Sequence, residues 1–172
     1  MLRNIRNDLR YCLSISESVG KIKLYSANCQ NAESLYDLNE QLNFNASLTL
    51  LANIGDRISK FSDELRNKYQ HIDWQKIRGF RNRIAHDYSG IDIFITFKII
   101  THDLPELEQT MYEVIADELN AGTFDVEEYD VAKKSQYYRH VDFMKIDGKL
   151  LPNALITPEC FENERFFVSR SA

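Results

Sequence analysis

The chain is poor in cysteine, glycine and proline, with three, six and three of these in 172 residues, and it has a deficit of positive charge. Cys12, Cys29 and Cys160 are odd in number and widely scattered, with no C-x-x-C pair. They read as reduced thiols, which argues against a disulfide framework and against a zinc site, so no metal and no cofactor are expected. With 21 Lys and Arg against 26 Asp and Glu, the formal charge is −5. A chain of that balance does not coat nucleic acid as a polycation does, so any contact with phosphate has to be local. Long apolar runs are missing too. The stretch from Ile91 to Ile100 is interrupted by Asp92, Thr96 and Lys98, and it is far too short to span a bilayer. The opening MLRNIRNDLRY alternates charged and apolar residues where a signal peptide has a continuous apolar core, so the expected location is the cytoplasm. There is no internal repeat and no low-complexity tract. What remains is 44% apolar and 27% charged, ordinary for a globular protein and enough for one packed domain with an appended subdomain.

The apolar positions set the coarse organisation. Leu2, Ile5, Leu9, Cys12, Leu13, Val19 and Ile22 recur at helical spacing, predicting a first helix over 2–23. After the small polar residues of SANCQNAES, where Asn31 or Ser34 is a candidate N-cap, Leu35, Leu38, Leu42, Ala46, Leu50, Ile54, Ile58 and Phe61 predict one long helix. Gly55 interrupts it without breaking the period and suggests close packing against a neighbouring backbone. A third helix is expected from Asp73 to about Asp87. Residues 93–100 read as a short helix or strand. Asp103 followed by Leu104-Pro105 looks like an N-cap with proline in the first turn, opening a helix through Leu107, Met111, Val114, Ile115 and Leu119 that NAGT ends. Beyond Gly122 the pattern alternates: His140, Asp142, Met144 and Ile146 fall on one side, Val141, Phe143 and Lys145 on the other. Asp147-Gly148 follows as a hairpin turn, and RFFVS reads as a further strand. The expected architecture is an all-α bundle of four to five helices over 1–121, followed by a small mixed extension over 122–172 containing a β-hairpin.

One segment concentrates positive charge. Arg66, Lys68, Lys76, Arg78, Arg81 and Arg83 all lie between positions 66 and 86, with Asp73 the only acid among them. On a helical wheel at about 100° per residue, Trp74, Ile77, Phe80 and Ile84 form an apolar arc that faces the core, and Trp74 reads as a core anchor. Arg78, Asn82 and His86 follow one another on the adjoining strip, with Arg81 at its edge. Arg81 and His86 are about 140° apart around the axis, so they converge only if the arginine reaches across or if a second copy completes the site. The missing side chain of Gly79 leaves room for a neighbouring helix, for instance across a two-fold axis. A histidine near its free pKa can take the proton of a ribose 2′-hydroxyl, and a guanidinium fits phosphate and stabilises the charge that builds on it. Such a pair needs no metal, and it selects RNA over DNA. The wheel leaves two other readings open: an arginine that snorkels at the core border with a histidine that complements the helix dipole, or a strip that binds an anion or partner without catalysis. His71, His102 and His140 read as ordinary surface or loop histidines. The tyrosines and lysines of EYDVAKKSQYYRH either cover a surface or touch RNA or a partner.

RNRIAHDY resembles the signature of the HEPN superfamily, and more closely its HepT-like branch, on Arg81, Asn82, His86 and Tyr88. YQHIDWQKIRGFRNRIAHDYSGID, ASLTLLANIGDRISKFS and DLPELEQTM are similar to successive segments of that branch, so the resemblance covers about residues 2–120. It implies an all-α HEPN bundle that forms a homodimer with both motifs facing a shared cleft. It further implies a metal-independent endoribonuclease toxin that leaves 2′,3′-cyclic phosphate ends. Arg81 and His86 would then be catalytic, with Asn82 orienting or binding and Arg78 and Arg83 beside it on the phosphate. Asp56 stands where related sequences carry an acidic residue. The implied partner is a MntA-like minimal nucleotidyltransferase antitoxin that transfers AMP to the motif tyrosine, here Tyr88. The competing expectation is a non-catalytic HEPN binding module serving such a nucleotidyltransferase. The extension over 122–172 departs from the compact pattern of the branch.

Overall fold

The first apolar stripe closes into helix α1 (Leu2–Ser26), in which Leu9, Cys12, Leu13, Val19 and Ile22 are fully buried. The structure is a computed structural model that describes residues 2–75, 77, 79 and 91–152, with side chains from Asn7 onward. Two long helices, α3 (Leu42–Ile58) and α6 (Leu104–Asn120), pack against α1 and run antiparallel to it. At one end Asn43 Nδ2 donates to the Tyr25 carbonyl at 2.9 Å and Lys23 pairs with Glu108. At the other, the Ser62 N–H donates to Asp8 Oδ1 at 3.0 Å. Burial pushes the Cys12 thiol well up, and the Asp8 and Glu118 carboxylates on either side add to it. Leu107, Met111, Val114, Ile115 and Leu119 of α6 all enter the same core, each stabilising the fold by roughly 1.5–3 kcal/mol. Among the described residues there is no strand, and the fold is all-α as expected.

The long helix expected over 35–61 is divided. Asn31 caps a short helix α2 (Ala32–Asp37) in a reciprocal capping box: Ser34 N–H donates to Asn31 Oδ1 at 2.8 Å and Asn31 N–H donates to Ser34 Oγ at 3.2 Å. Three consecutive residues then turn left-handed, Asn39, Glu40 and Gln41 at φ of 49°, 53° and 69°, before α3 begins. This break rotates the inner face: Phe44, Leu48, Leu51, Ile54, Gly55 and Ile58 are buried, whereas Leu42, expected inside, is 67% exposed. A left-handed non-glycine residue costs about 1–2 kcal/mol. Replacing exposed Glu40 by glycine is therefore expected to raise stability by about 1 kcal/mol, visible as a higher urea midpoint at unchanged slope.

A further helix, α4 (Asp63–Lys68), was not foreseen; Ser62 caps it by accepting the Leu65 N–H at 3.1 Å. Residues 93–100 resolve as helix, α5 (Ile93–Lys98), capped by Asp92 and packed on α2. Asp103 is not an N-cap: it has helical backbone angles and its side chain makes no capping bond, because α5 runs through a π-helical turn (Ile99–Asp103) straight into α6. Pro105 explains the wide turn. In a regular helix its ring would collide with the carbonyl four residues earlier, and the five-residue hydrogen bond from Leu104 N–H to the Ile99 carbonyl makes room. α6 stops as expected at Ala121, with Gly122 left-handed at φ 69°.

The extension corrects one expectation. No hairpin forms at Asp147-Gly148; residues 140–148, read as alternating, carry α8 (Phe143–Asp147), preceded by α7 (Val126–Lys133) and a 3₁₀ turn (Gln136–Tyr138). Met144 and Ile146 would share a strand face, yet Met144 is 84% exposed and Ile146 is sealed. The inward set Phe143, Ile146 and Leu150 is spaced for a helix. The strand read at RFFVS lies outside the described residues. Phe124, Tyr129, Ala132, Val141 and Ile146 join the same core as the bundle.

Candidate functional site

Two ends of the basic segment are described, and they show how it is held. At its start, Tyr69 packs under the bundle, its hydroxyl donating to buried Glu118 at 2.8 Å, and Lys68 pairs with the same carboxylate at 2.6 Å. Burial pushes the Tyr69 hydroxyl strongly up, and its bond to Glu118 adds to this. Trp74 Nε1 donates to the Tyr69 carbonyl at 3.1 Å and its ring meets Phe61 edge-on at 5.4 Å. It is the core anchor its place on the arc predicted. Residues 74, 75, 77 and 79 are helical, and Ile77 packs on the core. After the segment, Asp92 accepts the Phe94 and Ile95 N–H groups at 2.8 and 3.0 Å and fixes the start of α5. At Gly79 a Cβ would meet nothing within 4 Å among the described residues.

Of the residues singled out, Asp56 lies half-exposed on the last turns of α3. Arg78, Arg81, Asn82, Arg83, His86 and Tyr88 lie outside the described residues. The charge count changes, however. Arg66 bonds Asp63 at 2.7 Å and Lys68 bonds Glu118, so two of the six cations are answered by acids that lie outside the 66–86 stretch. Between the 71–77 stretch and α6 lies an open groove of about 340 Å³, lined by His71, Asp73, Ile77, Asp103, Glu106 and Glu113 among others. Among the described residues no three His, Cys, Asp or Glu side chains are grouped to hold a metal ion, and no helix is long and apolar enough to cross a membrane.

The other histidines differ from one another. His71 is exposed beside Tyr69, and exposed His102 shares a 2.8 Å hydrogen bond with Thr101 Oγ1. His140 is not an ordinary surface histidine: its N–H donates to Glu17 Oε2 at 2.8 Å and its Nδ1 lies 2.7 Å from Glu17 Oε1. Buried Glu17, which Lys21 also reaches at 3.2 Å, thereby ties the extension to α1. No residue spacing announces a contact across more than a hundred positions, and the only local sign was glycine at position 20.

The family described as "Ribonuclease HepT-like" matches residues 15–114. Among curated proteins, the chain is 31% identical to "Putative RNase TTE0752" of Caldanaerobacter subterraneus subsp. tengcongensis over 38% of this chain and 58% of that one. It is 28% identical to "Putative RNase MJ0125" of Methanocaldococcus jannaschii over 42% and 62% of the two chains. It is 22% identical to "Probable ribonuclease HepT" of Thermococcus cleftensis over 60% and 91%. The chain thus spans about 60% of the length of the first of these relatives it matches. No solved structure matches it.

Proposed function

The chain belongs to the ribonuclease HepT-like family of the HEPN superfamily, and from that premise we propose that it is a metal-independent endoribonuclease acting as the toxin of a toxin–antitoxin pair. The observation that carries the proposal is the span of the family match, residues 15–114, which runs across Arg81, Asn82, His86 and Tyr88 together. Two copies pair in a homodimer so that their motifs share one cleft. His86 removes the 2′-hydroxyl proton of a ribose; the freed oxygen attacks the adjoining phosphorus, and the 5′-oxygen of the next nucleotide leaves with a proton from water or from the second imidazole. Arg81 holds the phosphate and stabilises its added charge, Asn82 orients it, and Arg78, Arg83 and Asp56 shape the approach. The bundle over 1–121 carries this chemistry in the cytoplasm, and the extension over 122–172 tunes substrate or partner.

Incubating the purified protein with a defined RNA in excess chelator tests the reaction. Fragments should end in 2′,3′-cyclic phosphate and 5′-hydroxyl groups; 3′-hydroxyl ends, or no cleavage, would overturn it. The proposed antitoxin is a MntA-like nucleotidyltransferase that adds AMP to Tyr88, placing bulk and negative charge where an RNA phosphate must approach. Coexpression with that partner should raise the intact mass by one AMP unit in wild type and not in Tyr88→Phe. An unchanged wild-type mass would refute this mode of silencing.

A further inference from the structure

The 3₁₀ turn of the extension sits on α1, and its composition departs from the acidic balance of the chain as a whole. Residues 131–141 carry Lys133, Lys134 and Arg139 and no carboxylate. Lys133 is answered by Asp147 at 2.7 Å, whereas Lys134 and Arg139 are exposed and make no ion pair among the described residues. Between them Tyr137 stands 59% exposed. Its ring meets Tyr138 nearly at a right angle, with centroids 4.9 Å apart, and Lys21 of α1, which also pairs with Glu17 at 3.2 Å, lies 6.0 Å over it.

Beneath this pair the surface continues in the same chemistry. Burial raises the pKa of the Tyr138 hydroxyl, the neighbouring Tyr137 adds to this, and the Arg10 and Arg57 guanidinium groups pull the other way. Arg10 is paired with Glu128, but Arg57 lies 5.9 Å over the Tyr11 ring. Tyr11 in turn contacts Phe61, which contacts Trp74 at the foot of the basic helix. Arg57 also adjoins Asp56. The tyrosines and cations on the surface therefore run from Tyr137 to Arg57 over Tyr11, and Phe61, only 2% exposed, carries the contact on to Trp74 inside the core. An exposed tyrosine flanked by such cations has one fitting class of occupant in a ribonuclease family: unpaired bases have flat faces that stack, and their phosphates are anionic. A duplex hides those faces.

We propose that Tyr137, with Lys21, Lys134, Arg139 and Arg57, forms a binding strip for single-stranded RNA, so that the extension selects unpaired RNA. This deepens the ribonuclease reading and rests on it. The test is fluorescence anisotropy with full-length His86→Ala protein, which retains the strip, and a labelled mixed-sequence 15-nucleotide RNA, single-stranded or annealed to its complement. Tyr137→Ala should weaken single-strand binding by about tenfold and Tyr137→Phe by much less. Lys134→Gln with Arg139→Gln should flatten the salt dependence by about 0.7 in logarithmic slope for each phosphate no longer neutralised. The duplex should bind more weakly and respond little to Tyr137→Ala. Equal affinities for all variants, or no RNA binding at all, would overturn the strip. So would RNA affinity that survives Tyr137→Ala while capture of the coexpressed nucleotidyltransferase disappears, since the surface would then bind protein. Cleavage by the wild type, assayed in parallel, separates the two claims: cleavage without Tyr137 dependence leaves the enzyme and removes the strip, and Tyr137-dependent binding without cleavage does the reverse.

Discussion

His86→Ala is expected to slow RNA cleavage by about a thousandfold, with binding of RNA largely kept. A positioned general base contributes roughly 10²–10⁴ to such a step, and alanine removes it without adding charge. Arg81→Ala should lose a similar factor through the phosphate. Arg81→Lys should recover only part of it, because an ammonium keeps the charge and loses the two-pronged fit. If the two groups act on one transition state, the double variant will be little worse than either single variant, since removing one already disables the unit. Multiplicative losses would instead mean that they serve separate steps. Growth arrest on expression should follow the same order as the rates. Arrest that persists undiminished in His86→Ala would reject the catalytic reading and favour a binding module.

Gly20→Ala should destabilise the protein by about 3 kcal/mol, the opposite sign from an exposed site in mid-helix, where the same change gains about 1 kcal/mol. The reason is steric. A Cβ at position 20 would lie 2.4 Å from the His140 carbonyl oxygen and 2.7 Å from its Cβ, and backbone does not step aside as a flexible side chain does. Moving residue 140 also pulls its N–H and Nδ1 away from Glu17, a residue only 3% exposed. A buried acceptor left short of partners costs about 1–3 kcal/mol. The melting temperature should fall by roughly 6–12 °C for a chain of this size, and the 133–142 stretch should become sensitive to protease. His140→Ala, which keeps the backbone bond, should do less. A melting point within a degree of wild type would show that the extension is not seated on α1 through this approach.

How far the residues declared this structure varies by the range of the interaction involved. Periodicity located α1 and α6 because their inner faces, Leu9 to Ile22 and Leu107 to Leu119, meet one continuous core. Asn31 acted as the cap expected of it because capping is local, whereas Asp103, also expected as a cap, lies within a continuous helical run, and Asp92, which does cap α5, was not read as one. The division of the second helix was hidden: Asn39, Glu40 and Gln41 take a left-handed turn that nothing in Glu or Gln favours, while an apolar residue at every fourth position continues across it. Helix α8 was hidden because its five residues are too few to show a helical period against the alternation read over 140–146, and packing on α6 decides between them. The motif from Arg81 to Tyr88 drew its reading from the resemblance to the HepT-like signature, since its residue types and spacing alone left a structural and a binding role open, and it lies outside the described residues. The supports around it were not legible: Glu118 under Tyr69 and Glu17 under His140 are carboxylates buried by tertiary structure, and a residue string does not mark which acids go inside.

The wide turn at Ile99–Asp103 has a bearing on the segment upstream of it. A helix that has taken in one surplus residue has its two halves out of phase by about 100° relative to an unbroken spiral. α5 is joined rigidly to α6 through that offset, and Asp92 is clamped to the first turn of α5. The direction in which α5 runs from residue 92 is thus tied to the pyrrolidine ring of Pro105, many residues downstream. A shift in that phase would turn Asp92 and the first turn of α5 about the axis of α6.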